Sequence, residues 1–231
     1  MKLIKLLLGD IRFQFKYGFY FLYFVFTVIY IIMLNIIPTS WVYPVGILLI
    51  FSDPSAIGLI FSGAIIQFEL SENTFQSMKI APIKPIEYLL SKIFSLTIIS
   101  LIVGLMIGFS VQIISNILYF TLAIILGSLI FSCIGIIIAF KTRSLNHFFL
   151  WMIPFMTLII LPGGFYQFFE FYTVSIIHPG VAMVEMLNGG NYSVFGMVVL
   201  MGWLIYVGTL ANVTISQQFK SRKVIKDETN H

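Results

Sequence analysis

Met78-Lys79-Ile80-Ala81-Pro82-Ile83-Lys84-Pro85-Ile86-Glu87-Tyr88-Leu89-Leu90-Ser91-Lys92 decides how this chain is arranged. Its three lysines stand between two long apolar stretches, and that pattern recurs along the sequence. All 13 Lys and Arg residues fall into four groups: Lys2, Lys5, Arg12 and Lys16; Lys79, Lys84 and Lys92; Lys141 and Arg143; Lys220, Arg222, Lys223 and Lys226. Each interval between groups is long enough for two membrane crossings. Loops on the cytoplasmic side keep Lys and Arg, because positive charge resists translocation. One assumption therefore accounts for every basic residue: all four groups, and both termini, lie on the cytoplasmic side.

Composition agrees with a bilayer as solvent. The 231 residues are 59% hydrophobic and 10% charged, and the mean hydropathy is +1.03. A soluble domain carries about 25% charge. The net charge of +4 is dispersed at membrane edges, so it reads as topology and not as a nucleic-acid footprint. The single cysteine, Cys133, excludes an intrachain disulfide and reads as a small buried packing residue.

Residues 1–18 do not read as a secretory signal, because charge continues to Lys16 and no small-residue cleavage site follows. Lys2, Lys5, Gly9, Arg12 and Lys16 recur at steps of 3, 4, 3 and 4, which puts them on one helical stripe. Leu3, Ile4, Leu7, Leu8, Ile11 and Phe15 occupy the other face. The spacing predicts an amphipathic helix lying in the cytoplasmic interface, or a plain short surface helix.

Six spans follow. Phe19–Ile37 is the first, closed by Pro38. In the second, Ala56–Phe68 alone is 13 residues, or about 20 Å, too short for a core of roughly 30 Å. Val45–Phe51 must contribute, as half of a kinked span or as an outer segment dipping into the bilayer. The expected break is Ser52-Asp53-Pro54-Ser55, with Asp53 as a helix cap and Pro54 at the first helical position. Asp53 can equally be a functional intramembrane carboxylate, which with Pro54 makes it a candidate gate. Pro85 opens the third span, Ile86 to about Ile114; Ile117–Phe140 is the fourth; His147 to about Leu161, broken at Pro162-Gly163-Gly164, is the fifth; Tyr192 to about Ile215 is the sixth. Phe165–Asn191 lacks Lys and Arg, so it lies outside. It reads as two half-helices broken at His178-Pro179-Gly180. Phe165 and Tyr166 begin an aromatic run that suits an interfacial belt or a stacking surface for substrate. Residues 216–231 form a cytoplasmic tail. The fold expected is an all-α polytopic membrane protein with one transmembrane domain: elbow helix 1–18, six transmembrane helices, outer half-helices 165–191.

The cytoplasmic segment after the second span carries the richest chemistry. Ser71 or Asn73 can cap a short helix over 71–80, which Pro82 and Pro85 stop. Phe75, Met78 and Ile80 would form an apolar knob on it, either a docking surface or a loop hugging the headgroups. Glu69 and Glu72 can pair with Lys79, with Arg143 or with a partner, or stay solvated. Glu170, His178 and Glu185 have no metal-ligand spacing, so no metal is expected. Gly104 and Gly108 permit close helix approach.

An acidic residue ending span two, a short helix, and then Pro82-x-x-Pro85-x-Glu87-Tyr88-Leu89-x-x-Lys92 resembles the type-2 ABC exporter permeases. Phe51-Ser52-Asp53-Pro54-x-x-x-Gly58-Leu59-x-Phe61 resembles the fluoroquinolone-export branch of that family. The Gly-Thr usual after the acidic residue is Asn73-Thr74 here. The resemblance implies that 71–80 is a coupling helix, with Glu69, Glu72, Phe75, Met78, Lys79 and Ile80 as its docking residues. It also implies a separate ATP-binding subunit holding ATP and magnesium, a second permease subunit, and export of a hydrophobic or amphipathic compound, such as a drug, across a bacterial cell membrane. The chain has no Gly-x-x-x-x-Gly-Lys-[Ser/Thr] loop of its own, so no cofactor and no catalytic residue is expected in it. An intramembrane enzyme would need paired catalytic groups, and none of the usual motifs occurs. The remaining alternative is a secondary transporter, or an immunity or scaffold protein, not driven by ATP.

Overall fold

The structure, a computed structural model, describes residues 2–169 and 173–220, without the side chains of 53–57, 173 and 174. The helices are α1 Lys2–Lys16, α2 Phe19–Ile36, α3 Thr39–Ser71, α4 Thr74–Ile80, α5 Pro85–Ser110, α6 Ile117–Lys141 and α7 Leu145–Phe168. A 3-10 turn, Thr173–Ile177, leads to α8 Pro179–Asn188 and α9 Ser193–Lys220. No strand occurs among the described residues. The expected tail beyond Lys220, and Glu170, lie outside them.

Helix starts follow local chemistry. Pro85 occupies the first position of α5, where its missing N–H costs nothing, and Glu87 Oε2 accepts from the Lys84 N–H at 2.9 Å. Asn116 Oδ1 accepts from the Leu118 and Tyr119 N–H groups at 3.0 and 3.3 Å. Ser144 accepts from the His147 N–H at 3.3 Å, and His178 Nδ1 from the Gly180 N–H at 3.2 Å. Gly18 at φ 77° turns α1 into α2, and Gly189 at φ 65° ends α8.

Two expected breaks do not form. Helix α3 runs unbroken through Ser52-Asp53-Pro54-Ser55, so these residues do not start a helix. Its 33 residues extend about 50 Å. Helix α7 likewise continues through Pro154 and Pro162 to Phe168, so only α8 and a 3-10 turn remain of the outer half-helices. In an apolar medium an opened backbone has no water to bond, which makes continuing the helix the cheaper course. The missing N–H of Pro162 leaves the carbonyl four residues earlier, Leu158, without its helical donor, and the His178 ring lies near enough to interact with it. Burial lowers the His178 pKa, and the smaller effect of the nearby Leu158 carbonyl opposes it.

Helix α6 forms the centre of the bundle and packs against α3, α5, α8 and α9; α2, α7 and α9 are the least buried of the long helices. Helix α1 lies along α5. The bundle has an apolar core crossed by a few hydrogen-bonded polar side chains, and its outer surface is apolar as well. Ser62 Oγ donates to the Ser132 carbonyl at 3.0 Å, and Ser128 Oγ to Ser100 Oγ at 3.2 Å, all four residues buried. Meanwhile Phe21, Phe24, Leu150, Leu158, Ile205 and Val213 are exposed. Among the described residues, five helices are long and apolar enough to cross a membrane: α2, α5, α6, α7 and α9. Such an outer surface is unsuited to water and suited to lipid. The described basic groups gather at one end of the bundle, and Glu185 and His178 lie at the other. Arg222, Lys223 and Lys226 of the fourth group lie outside the described residues.

Helices α3 and α6 approach through glycine. A Cβ on Gly135 would collide with the Leu59 carbonyl and the Ser62 hydroxyl. Gly135→Val is therefore expected to destabilise by about 1–3 kcal/mol or more, whereas Gly202→Ala, at a site with nothing within 4 Å, stays near wild type. Buried Cys133 supplies the readout: its maleimide reactivity on heating should appear at lower temperature in Gly135→Val.

Candidate functional site

Helix α1 has three faces. Its basic stripe Lys2, Lys5, Arg12 and Lys16 is exposed, as the spacing predicts. Ile4, Leu8 and Phe15 also point outward, 51–62% exposed. The face turned to the protein carries Leu3, Leu7, Asp10 and Gln14, and its two polar members are the buried ones. Gln14 Nε2 donates to Ser95 Oγ on α5 at 2.8 Å. Asp10 Oδ1 accepts from Lys92 Nζ on α5.

Lys92 is 2% exposed and holds a second carboxylate, Glu69 Oε1 on α3. The Tyr88 hydroxyl donates to Glu69 Oε2 at 2.5 Å, and Ser95 Oγ donates to the Lys92 carbonyl at 2.8 Å. One ammonium therefore ties α1, α3 and α5 together. Asp10 Oδ2 is buried without a hydrogen-bond partner. The sequence reading placed Lys92 among the cytoplasmic loop charges and Glu69 against Lys79, Arg143 or a partner. The structure corrects both, because Glu69 faces inward.

Helix α4 hangs directly below this knot. Asn73 sits at its N-cap position but makes no side-chain capping bond, and Ser71 donates instead to the Phe68 carbonyl at 2.9 Å. Asn73 has φ 59°, the left-handed region that glycine adopts without strain and asparagine tolerates. Phe75 was expected on an exposed knob, but it is 1% exposed. Its ring packs against Tyr88 (5.5 Å), Phe140 (5.0 Å) and Phe219 (5.5 Å), so α4 is rooted in α5, α6 and α9. Met78 is half-buried beside it, and Lys79 Nζ lies 4.9 Å from the Phe75 ring centre. The outward face is Asn73, Ser77 and Ile80, spaced by 4 and 3; Ile80 is 86% exposed.

Two further ties close the region. The Tyr17 hydroxyl donates to Glu72 Oε1 at 2.7 Å, joining the α1–α2 turn to the end of α3. That bond to an acceptor carboxylate raises the Tyr17 pKa. Gln67 Nε2 donates to the Ala139 carbonyl at 2.8 Å and to Thr142 Oγ1 at 2.9 Å, fixing α3 to the end of α6.

At the opposite end, the Tyr166 hydroxyl donates to Glu185 Oε2 at 2.8 Å and the Tyr192 N–H to Oε1 at 2.9 Å. Phe165 is exposed near Phe169. The candidate gate pair Asp53 and Pro54 has no described side chains, so no geometry joins them to Phe165 and Tyr166. Among the described residues, no group of three or more His, Cys, Asp or Glu could hold a metal ion.

No family model, no curated protein and no solved structure matches this chain.

Sequence reasoning missed Asp10, Gln14, Lys92 and Tyr88 as a unit. The available signal was the interruption of an apolar helix face by Asp10 and Gln14, which has no purpose unless each finds a polar partner. Lys92→Met leaves two buried carboxylates without a counter-charge and is expected to destabilise by about 3–5 kcal/mol. Adding Asp10→Asn and Glu69→Gln should restore much of that loss. Thermal Cys133 labelling checks both, and equal stability of the single and triple variants would refute the tie.

Proposed function

We propose that this chain is the membrane-spanning permease subunit of an ATP-binding-cassette exporter, with ATP and magnesium held by a separate subunit that docks on α4. The observation that carries the reading is the rooting of a seven-residue helix between two long helices: Phe75 contacts α5, α6 and α9 while Ile80 projects outward. A push on the outward face of α4 would reach three long helices through one aromatic side chain. Rigid-body transitions work through such contacts, because packed cores rearrange between discrete states.

In this reading α2, α3, α5, α6, α7 and α9 are six crossings, and α1 is an interfacial elbow whose Ile4, Leu8 and Phe15 enter the lipid. The basic end faces the cytoplasm by the positive-inside rule, in a bacterial cell membrane, with both termini on that side. A second permease subunit completes the path, and the cargo is a hydrophobic or amphipathic compound. Position 73 supports the likeness to the family: the usual glycine there is replaced by the residue that best tolerates φ 59°. Docking falls to Ile80, Ser77, Lys79 and Glu72 rather than to buried Phe75 and Glu69.

One observation favours an ATP-independent secondary transporter, the burial of Asp10, Glu69 and Lys92 together. Transport stopped by a proton uncoupler and indifferent to ATP depletion would select it.

The test of the leading reading is co-purification with an ATP-binding subunit and the ATPase rate of that complex. Ile80→Asp should abolish co-purification while leaving thermal stability unchanged. Phe75→Ala should keep docking but uncouple ATP hydrolysis from transport, and cost about 3–5 kcal/mol in stability. Wild-type ATPase coupling in both variants would sink the α4 assignment.

A further inference from the structure

We propose that the cleft between the end of α3 and the α6–α7 turn binds the headgroup phosphate of an anionic phospholipid, with Arg143 as its cationic anchor. The cleft holds about 350 Å³. Phe68, Leu70 and Leu145 give it apolar walls, and Ser71, Arg143 and Ser144 give it a polar rim. A site with an apolar floor and a few convergent polar groups is the usual form of a ligand pocket.

The rim is chemically directed. The ion pairs among the described residues are both made by Lys92, so no carboxylate there neutralises the exposed Arg143. Its planar fork of N–H donors matches two phosphate oxygens. Ser144 Oγ accepts from the His147 N–H, which leaves its own hydroxyl hydrogen for an incoming oxygen. Ser71 donates to the Phe68 carbonyl and so offers only lone pairs. Arg143 and Ser144 therefore bind the phosphate, and Ser71 suits a hydroxyl of the glycerol headgroup.

Position favours a lipid over free phosphate. The cleft opens at the basic end, where α7 begins. Two turns into α7, Trp151 Nε1 donates to His147 Nε2 at 3.0 Å, and Trp151 is exposed beside exposed Leu150 and Ile153. Exposed tryptophan at a helix end marks the headgroup boundary. The apolar outer face of α7 thus offers a track for the acyl chains below a phosphate held at Arg143. Basic pockets between helices on the cytoplasmic side are suited to anionic headgroups. The inference rests on membrane embedding and stands whether or not α4 docks a motor.

Native mass spectrometry of the full chain, with phosphatidylglycerol or phosphatidylcholine added, tests it. Wild type should bind a first phosphatidylglycerol in preference to phosphatidylcholine. Arg143→Ala should weaken that first site about tenfold or more, with an intermediate loss for Arg143→Lys. Lys16→Ala, on the exposed stripe of α1, should change it less than about twofold. An unchanged affinity in Arg143→Ala, or an equal fall in Lys16→Ala, would overturn the site. Displacement of the first phosphatidylglycerol by equimolar inorganic phosphate would overturn the lipid assignment in favour of a free anion.

Discussion

The contact on which the basic end of this protein depends is one buried ammonium shared by two carboxylates. Lys92 brings Asp10 of α1 and Glu69 of α3 onto α5, from positions 82 and 23 residues away in the chain. Buried charge is costly, and a well-packed apolar trio could be as stable or more so. What the ionic trio supplies is specificity. An apolar patch tolerates sliding and rotation; a carboxylate that loses its ammonium inside the bundle does not. Asp10 and Gln14 thereby fix which face of α1 meets α5, and the other faces follow: basic stripe to one side, Ile4, Leu8 and Phe15 to another.

The tie also determines what α4 can do. The chain leaves α3 just after Glu69, makes the seven-residue helix, and enters α5 seven residues before Lys92. Both ends of the α4 segment are thus clamped by the same ammonium, while Tyr88 bridges the clamp to Phe75: its hydroxyl bonds Glu69 and its ring faces the Phe75 ring. A displacement of α4 relative to the bundle cannot be absorbed by slack in its flanks. It must tilt the aromatic cluster of Tyr88, Phe140 and Phe219, or break the ion tie.

How much was legible in the sequence follows from the range of the interactions. The α5 start at Pro85 and the short helix before it depend on neighbours within a few residues, and both are found. The breaks expected at Ser52–Ser55 and Pro162–Gly164 fail because those motifs break helices by offering the backbone to water. Inside an apolar bundle an opened turn would leave further carbonyls unpaired, so the helix continues. The ion trio was illegible for a different reason: its members are far apart, and each has an ordinary local explanation. Asp10 sits in a charged helix, Glu69 and Lys92 at the two ends of a loop.

Phe75 was misread through a related ambiguity. An apolar residue on a short helix outside the spans looks like a docking knob if the helix floats, and like a root if the helix is planted. Hydrophobic spacing alone cannot separate the two, since Phe75 and Met78 lie on one face in either case. The left-handed backbone at Asn73 decides it. That turn reverses the chain immediately after α3, which swings the first turn of α4 under the bundle and puts Phe75, two residues on, against Phe140 and Phe219. The outward face that remains is set by helical geometry from the same point: Asn73, Ser77 and Ile80. The surface offered to any partner is consequently small, polar at its start and apolar at its tip. Any force applied there is felt by Phe75 within about one and a half helical turns.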